Sequence, residues 1–402
     1  MATPPSAASQ SGRSGQHGHA ASAARVALGG GHGFGDHHLG NLERLREAGV
    51  VELVAVADPQ PPEPGSAPAT AAVFPGLTEL LAGTPDLVVI IVATPIQTHA
   101  PLGLAVLATT ADLYLEKPPV ASLADFNVLC DAAQASGRSV QIGFQSLGSH
   151  ALAAIEELVA NGTIGTLEGI SATGRWVRDR AYFKRSRWAG KRSVDGVDVV
   201  DGVATNPLAH AVTTALRIAG ARTTADVASV ETDLYRANDI ESDDTSVIRV
   251  RTTTGLPVTC ALTICASESV EPYVTLHGSA GTAVFHYTED RLVVSTPAGQ
   301  TEKTYGRDDL TANLIAHRNE GAKLISPIAD SGAFMLVLEA IRTAPAPIPI
   351  GPQHLYWEGD GDAAHAVVIG IEDALDRATR EHATFSELGM PWAISAAPAS
   401  LS

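Results

Sequence analysis

The sequence predicts two successive domains, an α/β domain with a doubly wound parallel sheet over residues 25–145 and an α+β domain with a large, mostly antiparallel open sheet over residues 146–402. From Arg25 onward, short apolar runs alternate with amphipathic stretches, which is typical of strand–helix–strand units. Beyond Gln145 the apolar runs become longer, alternate with polar residues and are separated by turn sequences, which favours antiparallel pairing. Residues 1–24 are rich in Ser, Ala and Gly and lack the continuous apolar block of a signal peptide, so we expect a disordered tail.

In the first domain we expect five strands joined by helical crossovers. A proline-heavy connection, QPPEPGSAP, follows the second strand and is incompatible with a regular helix. Ser122 is expected to cap the fourth long helix. The expected strands are 25–30, 51–58, 86–93, 111–116 and 139–145, and the expected helices are 36–48, 77–82, 99–108 and 123–136.

In the second domain seven strands are expected to form the antiparallel sheet, with helices returning over one of its faces. The expected strands are 169–178, 227–237, 245–255, 256–265, 273–279, 281–288 and 291–297, and the expected helices are 151–160, 207–219, 331–343 and 363–382.

Composition excludes several classes of function. The chain carries 27 basic and 44 acidic side chains, a formal charge of −17, which argues against a nucleic-acid partner. Its longest apolar run, Asp86 to Ala93, is far shorter than the roughly 20 residues of a membrane helix. Cys130, Cys260 and Cys265 show no paired framework and no Cys-x-x-Cys, which indicates a reducing, cytoplasmic compartment.

A glycine-rich corner follows the first expected strand. Gly30 and Gly35 match the first and third glycines of a G-x-G-x-x-G loop, while His32 occupies the position of the middle glycine. Gly33 and Phe34 complete the turn into the helix. Such a corner lets backbone N–H groups approach a pyrophosphate at a helix N-terminus, although an ordinary tight turn would have the same composition.

Asp58 ends the second expected strand, 23 residues after Gly35. A carboxylate at this place accepts hydrogen bonds from the adenosine ribose, and it would repel a 2′-phosphate. Since Pro59-Gln60 supplies no arginine, the pattern favours NAD over NADP in a Rossmann domain. A plain turn residue is the alternative interpretation of Asp58.

Three further segments resemble one known family. Thr94-Pro95 with His99 follows the third main strand, Glu116-Lys117-Pro118-Pro119 follows the next, and Asn206-Pro207-Leu208-Ala209-His210 starts a helix in the second domain. In this order and at these separations they resemble the glucose-fructose oxidoreductase, inositol dehydrogenase and rhizopine catabolism protein family of nicotinamide-dependent sugar and cyclitol dehydrogenases. The resemblance covers nearly everything after Ala24, and it implies that Thr94, Pro95, His99 and Glu116 line the cofactor cleft.

The resemblance also implies the catalytic groups. Lys117 would place an ammonium beside the reacting hydroxyl, and its proline is often in a cis peptide in the family. His210 would accept and return the hydroxyl proton. The family pattern Asp-x-Gly-x-His is altered here, because Asn206 stands in the place of the aspartate, and this indicates either a changed substrate or lost catalysis. Asp201 is a candidate to compensate for the missing carboxylate.

Cations and aromatic residues are concentrated in residues 175–188 of an otherwise acidic chain. Tyr182, Arg185 and Trp188 are the candidate substrate contacts there, together with Asn206 and His210, because arginine binds anionic groups and aromatic rings cover the apolar faces of sugars. A salt-bridge cluster between domains or subunits is the alternative interpretation.

The remaining polar clusters are assigned no function. No His, Cys or carboxylate cluster has the spacing of a metal site, and His17 and His19 belong to the tail. His37 and His38 are interpreted as packing and surface residues. Glu241, Asp243 and Asp244 are interpreted as a solvated turn.

The leading hypothesis is an NAD-dependent dehydrogenase that oxidises a sugar, cyclitol or glycoside between the two domains. One alternative is a redox glycosidase of the same fold, in which transient oxidation by NAD permits elimination. The other is a non-catalytic dinucleotide-binding regulator resembling the galactose-pathway corepressor. The open face of the antiparallel sheet predicts a homodimer or homotetramer.

Overall fold

The computed structural model describes residues 23–63, 65–393 and 399–401. The expected N-terminal tail lies outside the described residues except for Ala23 and Ala24, and Ala24 is already the first residue of a strand. The first sheet and its crossovers consist of β1 (Ala24–Gly29), α1 (Phe34–Glu47), β2 (Val51–Ala57), β3 (Ala72–Phe74), α2 (Leu77–Gly83), β4 (Val89–Val92), α3 (His99–Leu107), β5 (Asp112–Leu115), α4 (Leu123–Ser136) and β6 (Val140–Ile142).

These six strands form one parallel sheet in the order β3-β2-β1-β4-β5-β6. The expected doubly wound fold is therefore confirmed, with one strand more than expected. The additional strand, β3, follows the proline-heavy connection and has only three residues, an apolar run too short to predict a strand. Along β1, Val26 and Leu28 pack with α1 on one face, while Ala27 belongs to the core on the other face.

The second part of the chain is richer in strands. It consists of α5 (Ala151–Ala160), β7 (Leu167–Val177), α6 (Arg180–Lys184), β8 (Ser193–Val194), β9 (Val197–Asp198), α7 (Ala209–Ile218), β10 (Val227–Arg236), β11 (Thr245–Thr252), β12 (Pro257–Thr263), β13 (Cys265–Gly278), β14 (Gly281–His286), β15 (Arg291–Thr296), β16 (Gly299–Thr304), α8 (Leu310–Glu320), α9 (Gly332–Thr343), β17 (Ile348–Pro349), β18 (Leu355–Glu358), β19 (His365–Val368), α10 (Ile371–Glu381) and β20 (Ala399–Leu401).

Nine of these strands form a continuous sheet in the order β16-β15-β14-β13-β7-β12-β11-β10-β17, and β20 pairs with β10. Most neighbours are antiparallel, as expected. The exceptions are the parallel pairs β7–β12 and β10–β17. β8–β9 and β18–β19 form two separate hairpins.

The helices cover both faces of the large sheet, which corrects the expectation that they cover one. Gly174 on β7 lies against Leu208, just before α7. Gly169, an odd number of residues earlier on β7, lies against His382, which follows α10. Since side chains alternate along a strand, α7 and α10 lie on opposite faces.

The single helix expected over residues 363–382 was also wrong. The structure has β19 and then α10, separated by Gly370 at a φ of +75°. The β-branched run Val367-Val368-Ile369 favours an extended chain, and the helical spacing of apolar residues begins only at Ile371.

Helix α8, which the sequence analysis did not identify, returns to the first sheet. Its Leu310, Leu314 and Ile315 are buried against the cluster that contains Val26 and Leu28. Three backbone-paired contacts accompany this return: Gln141 bridges Pro327, Ser149 bridges Arg307, and Ile142 N donates to Ser326 O over 2.8 Å.

The acidic sequence over residues 241–244 is not a solvated turn, which corrects that interpretation for two of its three carboxylates. Asp243 and Asp244 are almost fully buried. Asp244 accepts backbone N–H groups from Ala237 and Asn238 at 2.8–2.9 Å. Burial of these carboxylates is tolerated because hydrogen-bond donors surround them.

The described residues contain neither a helix that could cross a membrane nor a cluster of metal ligands. No helix there is long and apolar enough to cross a membrane. Within the same ranges, no group of three or more His, Cys, Asp or Glu side chains is arranged to hold a metal ion. His17 and His19 lie outside the described residues.

Candidate active site

A cavity of about 940 Å³ opens at the carboxyl ends of β1, β2, β4 and β5, between the parallel sheet and the segments that precede α7. This is the edge of a doubly wound sheet where ligands bind. It brings together fourteen of the sixteen predicted site residues: Gly30, His32, Gly33, Phe34, Asp58, Thr94, Pro95, His99, Glu116, Lys117, Tyr182, Arg185, Trp188 and Asn206. Gly35 and His210 do not belong to its lining.

The glycine corner has the close packing that its composition predicts. Gly30 has a φ of +92°, and a Cβ there would lie 2.5 Å from the carbonyl oxygen of Ala93. A Cβ at Gly35 would lie 2.1 Å from the carbonyl oxygen of Gly30. Gly35 therefore acts behind the cavity wall, where it lets α1 begin directly against β1. At the start of α1, Gly35 N donates to His32 O over 3.1 Å and Asp36 N donates to Gly33 O over 3.3 Å, so the helix begins on carbonyl groups of the corner itself.

His32 and Asp58 connect the corner to the loop after β2. One oxygen of Asp58 accepts from Gly31 N over 2.7 Å and the other from Gln60 N over 2.9 Å. His32 Nε2 lies 3.1 Å from the carbonyl oxygen of Pro61. The side chain at the middle position of the motif is thus anchored on the loop. The glycine cradle, the carboxylate and the cavity size together fit a dinucleotide.

His99 joins the two segments that the resemblance placed in the cofactor cleft. Its buried ring lies between carbonyl oxygens, with Nε2 2.8 Å from Thr94 O and Nδ1 3.0 Å from Pro118 O. Burial lowers the pKa of His99, so a neutral ring donates to one side at a time. Thr94, Pro95 and Pro118 are held at the same cavity wall by this side chain.

Glu116 is buried and bound on several sides. His38 Nε2 lies 2.9 Å from one carboxylate oxygen, and Gln145 Nε2 donates to the same oxygen over 3.1 Å. Lys117 N donates to the other oxygen over 3.1 Å. The carboxylate therefore fixes the backbone from which the Lys117 side chain extends. The Lys117–Pro118 peptide bond is cis, as the resemblance implied.

Lys117 reaches across the cavity to the second domain. Its Nζ donates to Asn206 Oδ1 over 2.8 Å and to Asn206 O over 3.1 Å. Burial is the main cause that lowers the pKa of Lys117, while the negative charges of Glu116 and Asp201 raise it and Arg185 lowers it further. The ammonium is therefore stabilised by acceptors rather than by water.

His210 lies beside this lysine, behind the lined wall. Its Nδ1 is 3.3 Å from Ser146 Oγ, and its ring packs edge-to-face on Phe144. Burial, followed by the positive charges of Lys117 and Arg307, lowers the pKa of His210 to about 3. The imidazole is consequently neutral at physiological pH.

The predicted aromatic and cationic residues form a stack at the opposite end of the cavity from Asp58. The Arg185 guanidinium carbon lies 3.7 Å from the Tyr182 ring centroid and 4.7 Å from that of Trp188. Arg185 also lies 3.4 Å from the buried carboxylate of Asp201. This stack combines cation–π contacts with an ion pair, and all of these contacts lie within the second domain.

Sequence reasoning missed two polar residues of the site. His38, which was assigned to packing and surface, holds Glu116, and Thr205 lines the cavity with its hydroxyl donating to Val200 O and accepting from Gly202 N. For His38 a signal existed in its position, because a residue three after Gly35 on α1 faces the sheet. For Thr205 no motif existed, since its role depends on a local turn.

Comparison with solved structures shows a shared fold. The WlbA dehydrogenase of Chromobacterium violaceum, crystallised with NADH and UDP-GlcNAcA, matches with a TM-score of 0.65 at 19% identity, over 80% of this chain and 94% of that one. Levoglucosan dehydrogenase in complex with NADH matches with a TM-score of 0.66 at 16% identity, over 79% and 95%. An oxidoreductase of Agrobacterium radiobacter, in complex with NAD+, L-tartaric acid and magnesium, matches with a TM-score of 0.63 at 16% identity, over 79% and 94%.

Two family models match the sequence of this chain. Residues 24–144 match the model described as an oxidoreductase family with an NAD-binding Rossmann fold, and residues 152–284 match the GFO/IDH/MocA C-terminal domain. No curated protein matches the chain. The two models follow one another along the chain in the order of the two sheets, and they enclose every predicted site residue. The chain belongs to the GFO/IDH/MocA family of NAD-binding oxidoreductases.

Proposed function

We propose that this oxidoreductase removes a hydride from a hydroxyl-bearing carbon of a sugar, cyclitol or glycoside and uses NAD as the acceptor. The observation that carries the proposal is the position of Lys117, whose ammonium lies in the same cavity as the glycine corner and is held there by Asn206. One cavity thus offers a dinucleotide cradle at one end and a proton-handling group at the other.

The cofactor would lie along the carboxyl ends of the first sheet. The corner at Gly30 and Gly33 would hold the pyrophosphate, and Asp58 would accept from the adenosine ribose. Thr94 and Pro118 would line the nicotinamide end. When bound, the nicotinamide supplies the hydride acceptor, and the chain supplies orientation and electrostatics.

The chain's own residues would handle the hydroxyl proton. As the carbinol C–H bond breaks, the hydroxyl must lose its proton, and the neutral imidazole of His210 can accept it. The ammonium of Lys117 would stabilise the negative charge that develops on the oxygen. The burial and the charge of Lys117 that keep the imidazole neutral also oppose its protonation, so His210 would pass the proton on rather than retain it.

Substrate would lie between Lys117 and the aromatic stack. Tyr182 and Trp188 offer ring faces for the apolar side of a sugar, and Arg185 offers N–H groups for its oxygens. Asn206 would contact the hydroxyl that reacts, and the ring of His210, which lies behind the cavity wall, would have to move toward the cavity to reach it.

We further propose a homodimer or homotetramer that binds no nucleic acid and resides in the cytoplasm. On the α10 face of the large sheet, the half-buried side chains of Tyr273, Thr275, Val284 and Val293 continue one surface across β13, β14 and β15. The net charge of −17 and the three free cysteines support the other two assignments. Light scattering after gel filtration would measure the subunit number, and a monomer would contradict the first assignment.

The test has two stages. NADH binding is measured by fluorescence titration, and sugars, cyclitols and glycosides are then screened for NAD-dependent NADH formation. Lys117→Met is expected to lower turnover by about 100-fold or more while it leaves the NADH dissociation constant within a few-fold. Lys184→Met is the control, because Lys184 is exposed on α6.

Two outcomes would contradict the proposal. Folded, cofactor-free protein that binds neither NADH nor NADPH would exclude a dinucleotide-dependent reaction. A glycoside that is cleaved without net NADH formation would identify a redox glycosidase instead.

A further inference from the structure

Within the described part of the second domain, one side chain holds Lys117 in the cavity, and that side chain is neutral. Asn206 Oδ1 accepts from Lys117 Nζ over 2.8 Å. An amide carries an acceptor oxygen and a donor nitrogen, and only the oxygen suits an ammonium, which can only donate. A further group must therefore hold the Asn206 amide in the orientation that turns its oxygen toward Lys117.

Asp201 meets this requirement. Asn206 Nδ2 donates to Asp201 Oδ1 over 2.6 Å, and a carboxylate can only accept. Asp201 Oδ2 accepts from Gly190 N over 2.7 Å and lies 3.4 Å from Arg185. The residue is 7% exposed, so these partners, rather than water, determine its orientation.

We propose that Asp201 is a positioning residue that orients the Asn206 amide and thereby keeps Lys117 placed and protonated at the reacting end of the cavity. The inference rests on the proposed function for its catalytic meaning, since Lys117 is the group that Asp201 serves. The inference also explains how Asn206 can stand in the place of the aspartate of the family pattern. The carboxylate of the family pattern is absent at position 206, and a negative charge stands one hydrogen bond farther from Lys117 instead.

The charges around Lys117 agree with this arrangement. Glu116 faces it from the β5 end and Asp201 from the second domain, and both favour the ammonium. Arg185 opposes it, and His210 is neutral beside it. Glu116 is already bound by His38 and Gln145, so Asp201 is the carboxylate that reaches the tip of the lysine through one amide.

The consequence of Asp201→Asn follows from the donors and acceptors. The oxygen of the new amide would stay on Gly190 N, so its nitrogen would face the nitrogen of Asn206. Relief of this donor–donor contact requires the Asn206 amide to turn over and present N–H groups to Lys117. The ammonium would lose an acceptor and a nearby negative charge, and both losses favour the neutral amine.

The experiment measures the protonation of Lys117 without any substrate or turnover. The folded full-length protein is labelled with trace acetic anhydride across a pH series, and peptide mass spectrometry follows each lysine, with the exposed Lys184 as internal reference. In Asp201→Asn we expect the labelling curve of Lys117 to move down by about one pH unit, which is about tenfold more neutral amine at a given pH.

The double variant Asp201→Asn/Asn206→Asp tests the orientation directly. A carboxylate at position 206 would contact Lys117 and accept from the amide at 201, so the curve should move back up at least to that of the parent protein. Asp195→Asn, in the same segment but exposed and paired with Arg187, is the matched control and should leave the curve unchanged.

An unchanged Lys117 curve in folded Asp201→Asn, or no recovery in the folded double variant, would overturn the inference. Thermal melting verifies that each variant is folded. Because labelling needs neither cofactor nor substrate, failure of the proposed dehydrogenase activity would leave this result interpretable by itself. Where turnover is found, the pH profile of the rate should move in the same direction as the labelling curve.

Discussion

His38 Nε2 lies 2.9 Å from Glu116 Oε1, and both side chains are buried. This contact joins the first helix to the strand end that carries Lys117. It couples the helix that follows the glycine corner to the strand end at Lys117, so a displacement of one is expected to displace the other.

We expect His38→Phe to lower the free energy of unfolding by about 1–3 kcal/mol, because Glu116 would lose a donor while it remains buried. A phenyl ring would keep the edge contact with Tyr114, whose centroid is 5.2 Å away. Urea denaturation measures the change. His37→Phe, at an exposed position of the same helix, is the control, and equal destabilisation by both variants would refute the role of the hydrogen bond.

Gly35→Ala should weaken NADH binding by about tenfold or more. A methyl group 2.1 Å from the carbonyl oxygen of Gly30 requires α1 to move away from β1, which displaces the corner. Fluorescence titration measures the affinity. Gly40→Ala is the matched control, because a Cβ there meets no atom within 4 Å, and it should raise stability by about 0.5–1 kcal/mol. Unchanged affinity in Gly35→Ala would show that the corner does not need this packing.

Asp58→Asn should reduce the preference for NADH over NADPH by about tenfold. The amide keeps an acceptor oxygen for Gly31 N and loses the one that Gln60 N uses, while the charge that repels a 2′-phosphate is removed. The ratio of the two dissociation constants is the readout. Glu63→Gln removes an exposed charge from the same loop and should leave the ratio unchanged. A parent protein that prefers NADPH would overturn the assignment of Asp58.

The free energy of unfolding should fall as the pH rises from about 4 to about 6, because the buried carboxyl of Asp243 loses its proton over this interval. Burial is the main cause that raises the pKa of Asp243 from 3.8 to about 6. The folded state therefore binds more protons than the unfolded state in this interval, and the slope of stability against pH is negative. The full effect is about 3 kcal/mol, lost as the pH passes through the folded-state pKa.

Urea denaturation as a function of pH tests this assignment. Asp243→Asn should remove this component of the slope, whereas Asp239→Asn, at an exposed position of the neighbouring turn, should not. The same slope in all three proteins would assign it to other groups.

The sequence predicted the parts of the fold that have a periodic signal. Five of the six parallel strands, all but β3, and helix α5 lie where apolar runs and helical spacing placed them. Residues 310–320 were missed because helix α8 buries Leu310, Leu314 and Ile315 against a sheet that ends 168 residues earlier in the chain, at Ile142. Burial of this kind is decided by tertiary contacts, which a local pattern does not contain.

The candidate site likewise contains residues that the sequence predicted and partners that it did not. Gly30, Asp58 and Lys117 follow from motifs tied to strand ends, and the structure places all three in one cavity. The partners of these residues depend on contacts between distant segments. Asp201 was only a candidate in the sequence, and its contact with Asn206 requires the turn that Thr205 closes.

The return of α8 has a mechanical consequence. The chain passes between the two sheets three times, after β6, before α8 and after α8, and backbone hydrogen bonds tie the passages to one another, as from Asp308 N to Gly148 O at 3.0 Å and from Ile142 N to Ser326 O at 2.8 Å. A hinge rotation of one sheet relative to the other would have to break these backbone hydrogen bonds. Exchange of cofactor is therefore expected to depend on the border of the cavity, which residues of the loop after β2 and of the segment around α6 line, rather than on a hinge between the two sheets.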